Sequence, residues 1–440
     1  MRPIWALRKK GRVVSMAEYI QAIRGMNDVL PNDSALWRHV ENIIRQTVYS
    51  FGYDEIRTPI LEKTELFKRN IGEATDIVEK EMYMFDDRNG DSLALRPEGT
   101  ASAVRLGLEH GLLTQGVQRW WYMGPMYRHE RPQKGRYRQF YQLGVEAFGV
   151  MSADIDLEII LLTETLKRNL SLQAPLVLQL NTLGTSVARK AHKEKLVEYL
   201  NRYHHELDED SQRRLHTNPL RILDSKDVQT QKIIHDAPKL GDYLDDASKA
   251  HFDEVCAGLD ALGIAYQLNP ALVRGLDYYT HTVFEWVSNE LGAQGTVCAG
   301  GRYDGLVEQM GGKSVPAIGF ALGLERILLL LQLQQQEISE PADIYVISTV
   351  GAPRLAALEL ARSIRLQFKD WRVITHCGDA SFKNQFKKAD KSGARWALII
   401  GDEECAEKSV TFKHLRDEHL PQTKVATTEL FTFLEKLRSS

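Results

Sequence analysis

The chain has 440 residues, with 43% hydrophobic and 26% charged side chains, 56 basic against 59 acidic residues and a net charge of −3. Such a composition excludes a disordered, collagen-like or coiled-coil chain, and the length predicts about three domains rather than one core. With so little net charge, any nucleic-acid binding has to come from local patches. The longest apolar stretch, near Ile327–Leu333, is far short of the roughly 20 residues that span a bilayer, which predicts no membrane partner.

Cys256, Cys298, Cys377 and Cys405 lie far apart, and no Cys-x-x-Cys pair occurs. A zinc ribbon or disulfide framework needs paired spacing, so the cysteines predict no metal site and a reducing, cytoplasmic setting. Residues 1–15 are basic but lack the apolar run of a signal peptide. A patterned chain begins at Met16, which marks residues 1–15 as an extension from an upstream start, with a transit segment as the alternative.

From Ala17 to about Gly184 strand and helix signals mix. Asn32, Asp33 and Ser34 offer N-caps for a helix over Ala35–Ser50, in which Trp37, Val40, Ile44 and Val48 recur at helical spacing. Leu93–Arg96 reads as a strand stopped by Pro97, after which Thr100 is placed to cap a helix running to about Gly111. Polar helical periodicity over about 186–249 reads as a helical insertion; its acidic run, Glu206–Asp210, reads as a solvated helix face rather than a metal site. Strand and glycine signals return from Tyr266 to Gly323 and end in a helix over Leu324–Leu333, which closes a domain over 16–333. Beyond the polar linker Gln334–Pro341, strands and helices alternate. That alternation predicts a small α/β domain over 342–440 with a largely parallel sheet.

Gly311–Ser314 resembles the end of a phosphate-binding loop, but Val307 stands where that pattern needs glycine. The richest constellation is Arg119–Phe148, two strand-like arms around the loop Arg131–Gly135, which predicts an antiparallel hairpin. Period-two alternation sets Arg128 and Glu130 on one face with Trp120 and Tyr122, and on the second arm groups Phe140, Gln142, Gly144 and Glu146. Charges on an otherwise apolar hairpin are costly unless they pair, Arg128 with Glu146 for example, or meet ligand charge. Arg131, Lys134, Arg136 and Arg138 make the loop suited to phosphates. In Pro316–Leu331, Gly319, Ala321 and Gly323 leave one strand face nearly bare, which suits tight packing or a flat ring with Arg326 stacked on it. Leu272–Thr280 and Ala299–Leu306 add Arg, Asp and Tyr beside glycine, types that hydrogen-bond a polar small molecule.

These residues resemble class II aminoacyl-tRNA synthetases, and within them the histidyl-tRNA synthetase family, over nearly all of Met16–Ser440. Gly52–Leu61, with Pro59, is similar to the first class motif, which builds a dimer interface in the family. Tyr127–Glu130 with Arg136 and Phe140 resembles the second motif, and Gly323–Arg326 the third, with Ala321 where glycine is often found. Leu272–Tyr279 and Ala299–Leu306 resemble the two segments that mark the histidine-specific branch.

The resemblance implies an α+β fold: a catalytic domain around an antiparallel sheet with a helical insertion, then an α/β domain of the anticodon-binding type. It implies ligation of L-histidine to histidine tRNA through a histidyl-adenylate, with ATP as substrate, Mg2+, and a homodimer. By the same resemblance Arg128 holds the α-phosphate and the amino-acid carboxylate, Arg274 stands beside the α-phosphate, and Glu130, Arg136 and Arg326 contact ATP. Glu98, Thr100, Gln142, Glu146, Tyr278 and Tyr279 then contact histidine. Lys383, Lys387, Lys388, Lys391 and Arg395 against Asp390 form a local +4 stripe suited to an RNA backbone. The rival is a non-catalytic relative, the histidine-sensing regulatory subunit of ATP phosphoribosyltransferase, which lacks the C-terminal domain and parts of the ATP site. A pseudo-enzyme that only binds RNA is a third reading.

Overall fold

The computed structural model describes residues 20–439 except 72–74, 76, 226, 274–275, 277, 336–337 and 418. The chain divides into two compact units, Met1–Glu337 and Ile338–Ser440. The first contains β1 (Asp54–Glu55), β2 (Leu61–Lys63), β3 (Met84–Asp86), β4 (Ser92–Leu95), β5 (Gln118–Tyr127), β6 (Gln139–Phe148), β7 (Leu176–Thr182), β8 (Tyr266–Leu268), β9 (Thr280–Ser288), β10 (Thr296–Arg302) and β11 (Ala317–Gly323). Among the described residues, eight of these make one sheet in the order β1-β5-β6-β11-β10-β9-β7-β8. Its centre is antiparallel, and only the outer pairs β1–β5 and β7–β8 run parallel.

The predicted hairpin is β5 and β6, in register from Gln118↔Phe148 to Tyr127↔Gln139. Alternate β6 residues Leu143, Val145 and Ala147 are buried in the core. The helix Ala153–Asn169 packs on β10 and β11, and its Thr163 hydroxyl accepts from the Trp286 indole at 2.8 Å. Pairing of β6 with β11 sets Glu146 opposite Gly319, Gly144 opposite Ala321 and Gln142 opposite Gly323.

Two caps differ from the sequence expectation. The first helix is Pro31–Ser50, with Leu30 as N-cap and no side-chain cap bond. Pro31 supplies the start, because its fixed φ and missing N–H suit the first helical position. The helix Thr100–Glu109 follows Gly99, and Thr100 is inside it rather than capping it. Glu98 meets the orphan donors instead, accepting from Thr100 N at 2.6 Å and Ala101 N at 2.9 Å. That arrangement frees the Thr100 hydroxyl for another partner.

Between β7 and β8 the chain forms helices Ser186–Asn201, Glu209–Thr217, Val228–His235 and Asp246–Ala261. The first three gather Leu196, Leu200, Leu215 and Ile233 into a small core of their own. The acidic run there is structural at Asp208, which accepts from Ser211 N, Ser225 Oγ and Thr230 Oγ1. Burial pulls this carboxyl up, but those bonds overcome it and hold the group at about 2. Among the described residues no helix is long and apolar enough to cross a membrane.

The second unit carries β12 (Ile344–Ser348), β13 (Val373–Thr375), β14 (Trp396–Ile400), β15 (Ser409–His414) and β16 (Thr423–Ala426), in the order β13-β12-β14-β15-β16. The predicted strands β12, β13 and β14 are parallel, but β15 and β16 join antiparallel, so the sheet is mixed. Only the short helix Asp402–Glu407 separates β14 from β15, too little chain for a parallel crossover. Lys383, Lys387, Lys388, Lys391 and Arg395 are all exposed, on and just after the helix Phe382–Lys391.

At the end of β10 the fully buried Arg302 is paired with the fully buried Asp156, Nη2 lying 2.6 Å from Oδ2. The same guanidinium donates to the carbonyls of Val150, Met151 and Ser152. Removing Asp156 takes away the main partner of a buried charge and leaves only Asp304, whose Oδ1 lies 3.3 Å from Arg302 Nη1. Asp156→Asn is therefore expected to destabilise the first unit by about 3–5 kcal/mol in urea denaturation. A loss below about 1 kcal/mol would show that the network tolerates the orphaned cation.

Candidate active site

The hairpin β5–β6, the start of the helix Thr100–Glu109, the ends of β10 and β11 and the loop after β5 enclose one cavity. Glu98, Thr100, Arg128, Glu130, Arg136, Gln142, Glu146, Tyr278, Tyr279 and Arg326 all line it. Arg274 lies outside the described residues.

At one end Glu146 is 1% exposed. One carboxyl oxygen accepts from Thr100 Oγ1 and from the Tyr122 hydroxyl, each at 2.8 Å, and the other from the Tyr303 hydroxyl at 2.5 Å. Burial pushes this carboxyl up to about 8; the three hydroxyls work against burial, and the nearby Glu98 charge adds to it. Glu98 itself is raised by burial, opposed by the backbone donors of Ala101 and Thr100. The bare strand face has a specific cause here. A Cβ on Gly319 would stand 1.9 Å from Glu146 Oε2, and one on Gly144 would stand 2.1 Å from the Tyr122 ring. These two glycines make room for the carboxylate and for the tyrosine that holds it.

Tyr278 and Tyr279 continue this wall, their ring centroids 4.8 Å apart, and Tyr278 meets Tyr303 edge-on at 5.7 Å. Burial keeps the phenols of Tyr122, Tyr278 and Tyr303 protonated, well above their ordinary range.

The other end is cationic. Arg128 lies over the Phe140 ring at 5.2 Å and donates from Nε to the Pro97 carbonyl at 2.9 Å, which fixes its plane. Arg326 donates from Nε to the Gly135 carbonyl at 3.2 Å and from Nη1 to the Thr296 carbonyl. Burial, with the charges of Arg128 and Arg136, lowers the Arg326 guanidinium to about 10. Arg136 pairs with Glu130 and lies 3.5 Å from Glu81. Of the basic loop, then, Arg136 turns to carboxylates and Arg138 donates to the Glu130 carbonyl, while Arg131 and Lys134 face solvent.

Sequence reasoning did not single out Tyr303 and Glu325. Tyr303 was visible within Ala299–Leu306, but Arg302 carries equal chemical promise there. Consecutive side chains at the strand end part company: Arg302 goes to Asp156 in the core, Tyr303 to Glu146 in the pocket. Glu325, adjacent to Arg326, accepts from Tyr141 N at 2.9 and 3.0 Å and is pushed up to about 7 by burial. It ties the helix Leu324–Leu333 to β6 where the ladder with β11 ends.

Residues 25–327 match the family described as histidyl-tRNA synthetase, and residues 343–437 match the anticodon binding domain. The apo histidyl-tRNA synthetase of S. aureus is 35% identical, with a TM-score of 0.79, covering 94% of this chain and 99% of that one. Histidyl-tRNA synthetase from Nostoc sp. PCC 7120 superposes with a TM-score of 0.66 at 20% identity, covering 96% and 100% of the two chains. An ATP phosphoribosyltransferase regulatory subunit/histidyl-tRNA synthetase from Bacillus halodurans gives 0.62 at 22%, covering 88% and 99%. The last two likenesses speak to the fold alone. On the family match, the S. aureus likeness and a mostly antiparallel sheet that carries the site, the chain belongs to the histidyl-tRNA synthetase family and has the fold of class II aminoacyl-tRNA synthetases.

Proposed function

We propose that this chain activates L-histidine with ATP to a histidyl-adenylate and transfers the histidyl group to its tRNA. The observation that carries this reading is the polarity of one cavity: a hydroxyl-held carboxyl group, Glu146, at one end and the arginines Arg128 and Arg326 at the other. Glu146 with the surrounding tyrosines can donate to one imidazole nitrogen and accept from the other. Glu98, Thr100 and Gln142 complete that end. Arg128, at the cationic end, would meet both the amino-acid carboxylate and the α-phosphate, and Glu130, Arg136 and Arg326 take the nucleotide side.

Attack of the histidine carboxylate on the α-phosphorus forms the mixed anhydride and expels pyrophosphate. Two anions must approach, so guanidinium groups fixed beforehand lower the barrier by stabilising charge where it concentrates. The stacking of Arg128 on Phe140 and its bond to the Pro97 carbonyl supply that fixing. A 3′-terminal hydroxyl of tRNA then attacks the adenylate carbonyl and releases AMP.

Among the described residues no group of three or more His, Cys, Asp or Glu could hold a metal ion. Mg2+ in such sites takes one or two protein carboxylates and completes its shell with phosphate oxygens and water. Glu130 and Glu325 line the cavity and would hold a metal that arrives on the triphosphate, in exchange for their present partners Arg136 and Tyr141 N. Bound there, it would neutralise phosphate charge. Assembly as a homodimer through Gly52–Leu61, a cytoplasmic location and contact of the exposed Lys383–Arg395 stripe with tRNA belong to the same reading.

Pyrophosphate exchange into ATP, run with each amino acid in turn, tests the proposal. Histidine alone is expected to support exchange. Histidine binding without exchange would instead identify a sensor of the regulatory-subunit kind. In a separate single-turnover measurement, Arg274→Ala is expected to slow adenylate formation by about 10²–10³. A near-normal rate would make Arg274 structural.

The Glu146 carboxyl makes a second prediction. It keeps its proton up to about 8, whereas free imidazole gains one below about 6.5. Between those limits ring and carboxyl share a single proton. Above the upper limit the site loses that proton, and below the lower one the ring brings a second, so histidine affinity should fall on both sides. Calorimetric titration of Glu146→Gln should show affinity reduced by about 10–100-fold and no loss of affinity centred near 8. An unchanged alkaline limb would assign it to another group.

A further inference from the structure

The helix Ser186–Asn201 opens with Thr185 as N-cap, its hydroxyl accepting from Ala188 N at 3.2 Å. Arg189 stands in the first turn. A cation there opposes the helix dipole, which favours acidic side chains at that end. Ala188 and His192 turn into the packed side of the helix, and Arg189, partly buried, borders a small cavity with Leu220, Leu240 and Leu276 and with the polar Asn218 and Arg221. Withdrawn from bulk water, a charge-assisted bond is stronger than at an exposed surface. The guanidinium makes one: Nη1 donates to the Tyr279 carbonyl.

That carbonyl lies where the segment carrying Tyr278 and Tyr279 enters β9. From Tyr279 a chain of contacts leads through Tyr278 and Tyr303 to Glu146. Two residues on, His281 adopts φ 45°, the left-handed region that a non-glycine residue occupies only when its surroundings hold it. The surroundings do so: His281 N donates to the Gly184 carbonyl at 2.9 Å, and its own carbonyl accepts from Leu183 N at 2.7 Å. Both partners belong to the approach to Arg189's helix. The helical segment between β7 and β8 thus grips the tyrosine wall at two points, one of them the Arg189 side chain. Arg189 does not line the main cavity, so any effect it has on the site passes through Tyr278 and Tyr279.

We propose that Arg189 is a positioning residue for the amino-acid end of the pocket, holding the Tyr278–Tyr279 wall against Tyr303 and Glu146 by its bond to the Tyr279 carbonyl. The proposal rests on the reading of that end as the histidine subsite. It makes the insertion part of the substrate-selecting apparatus. A backbone carbonyl needs a donor rather than a fork, so lysine should serve in part, whereas alanine should not.

The experiment uses the full chain and the variants Arg189→Ala and Arg189→Lys. Calorimetry measures histidine and, separately, a non-hydrolysable ATP analogue, and amide hydrogen exchange is followed over Tyr278–Thr282 and over the β5–β6 hairpin. For Arg189→Ala the histidine Kd should rise about tenfold, the cost of one charge-assisted bond. ATP-analogue affinity should stay unchanged, and exchange should quicken over Tyr278–Thr282 but not in the hairpin. The lysine variant should recover part of the loss. Unchanged histidine affinity and exchange in the alanine variant would overturn the proposal, as would equal losses for both ligands with exchange raised throughout. If the unsubstituted chain binds no histidine, the subsite reading falls. Exchange over Tyr278–Thr282 in the alanine variant then still decides whether Arg189 holds the wall.

Discussion

A carboxyl group withdrawn from water is unfavourable unless hydrogen-bond partners meet it and the backbone leaves it room. Glu146 satisfies both conditions with residues drawn from across the first unit. Thr100 comes from the start of a helix, Tyr122 from the neighbouring strand and Tyr303 from just beyond β10, while Gly319 on β11 leaves the space that the carboxyl fills. Much of the sheet's organisation serves this one group. The register of β6 with β5 and with β11 decides that Glu146 faces Gly319 rather than a side chain. The capping of the helix Thr100–Glu109 by Glu98 leaves the Thr100 hydroxyl available to it. Even the buried Asp156–Arg302 pair contributes, because it anchors the residue before Tyr303.

The cavity is electrostatically divided. At one end burial raises carboxyls; at the other, burial and then the neighbouring charges of Arg128 and Arg136 lower the Arg326 guanidinium to about 10. Neither end is comfortable alone. On the proposed reading an anionic nucleotide would relieve the arginines, and a polar ring that shares a proton would relieve Glu146. Groups fixed before the ligands arrive can stabilise charge as it develops without reorganising at the moment of reaction, which is how fixed dipoles and charges act in catalysis.

How much of this was legible in the sequence depended on the range of the interaction involved. Period-two alternation is local, so the β5–β6 hairpin and the shared face of Phe140, Gln142 and Glu146 could be read directly. The bare face of Gly319, Ala321 and Gly323 was also legible, but the reason for Gly319 was not. Its partner Glu146 lies on a strand distant in sequence, and the register between them is a tertiary fact. The suggested pairing of Arg128 with Glu146 gave way to hydroxyl partners for the same reason. Caps were misplaced where short-range rules compete: Pro31 outranked Asn32, Asp33 and Ser34, and Glu98 outranked Thr100. In the second unit the βα alternation was read as far as Ile400. The mixed sheet beyond it is not legible because β15 and β16 interleave polar residues with their core residues Val410, Phe412 and Val425, and their direction follows from the brevity of the connection.

The central claim is that the Glu146 end of the cavity reads the two ring nitrogens of its substrate. Calorimetric comparison of histidine with β-(2-thienyl)alanine tests it most directly, since the analogue keeps a five-membered aromatic ring and the amino-acid backbone but removes both nitrogens. A site built to hydrogen-bond those atoms is left with buried unpaired groups, so binding should weaken by about 10⁴-fold. An affinity within about tenfold of histidine would mean that shape and apolar contact do the recognising, and that the hydroxyl-held carboxyl group serves the fold instead.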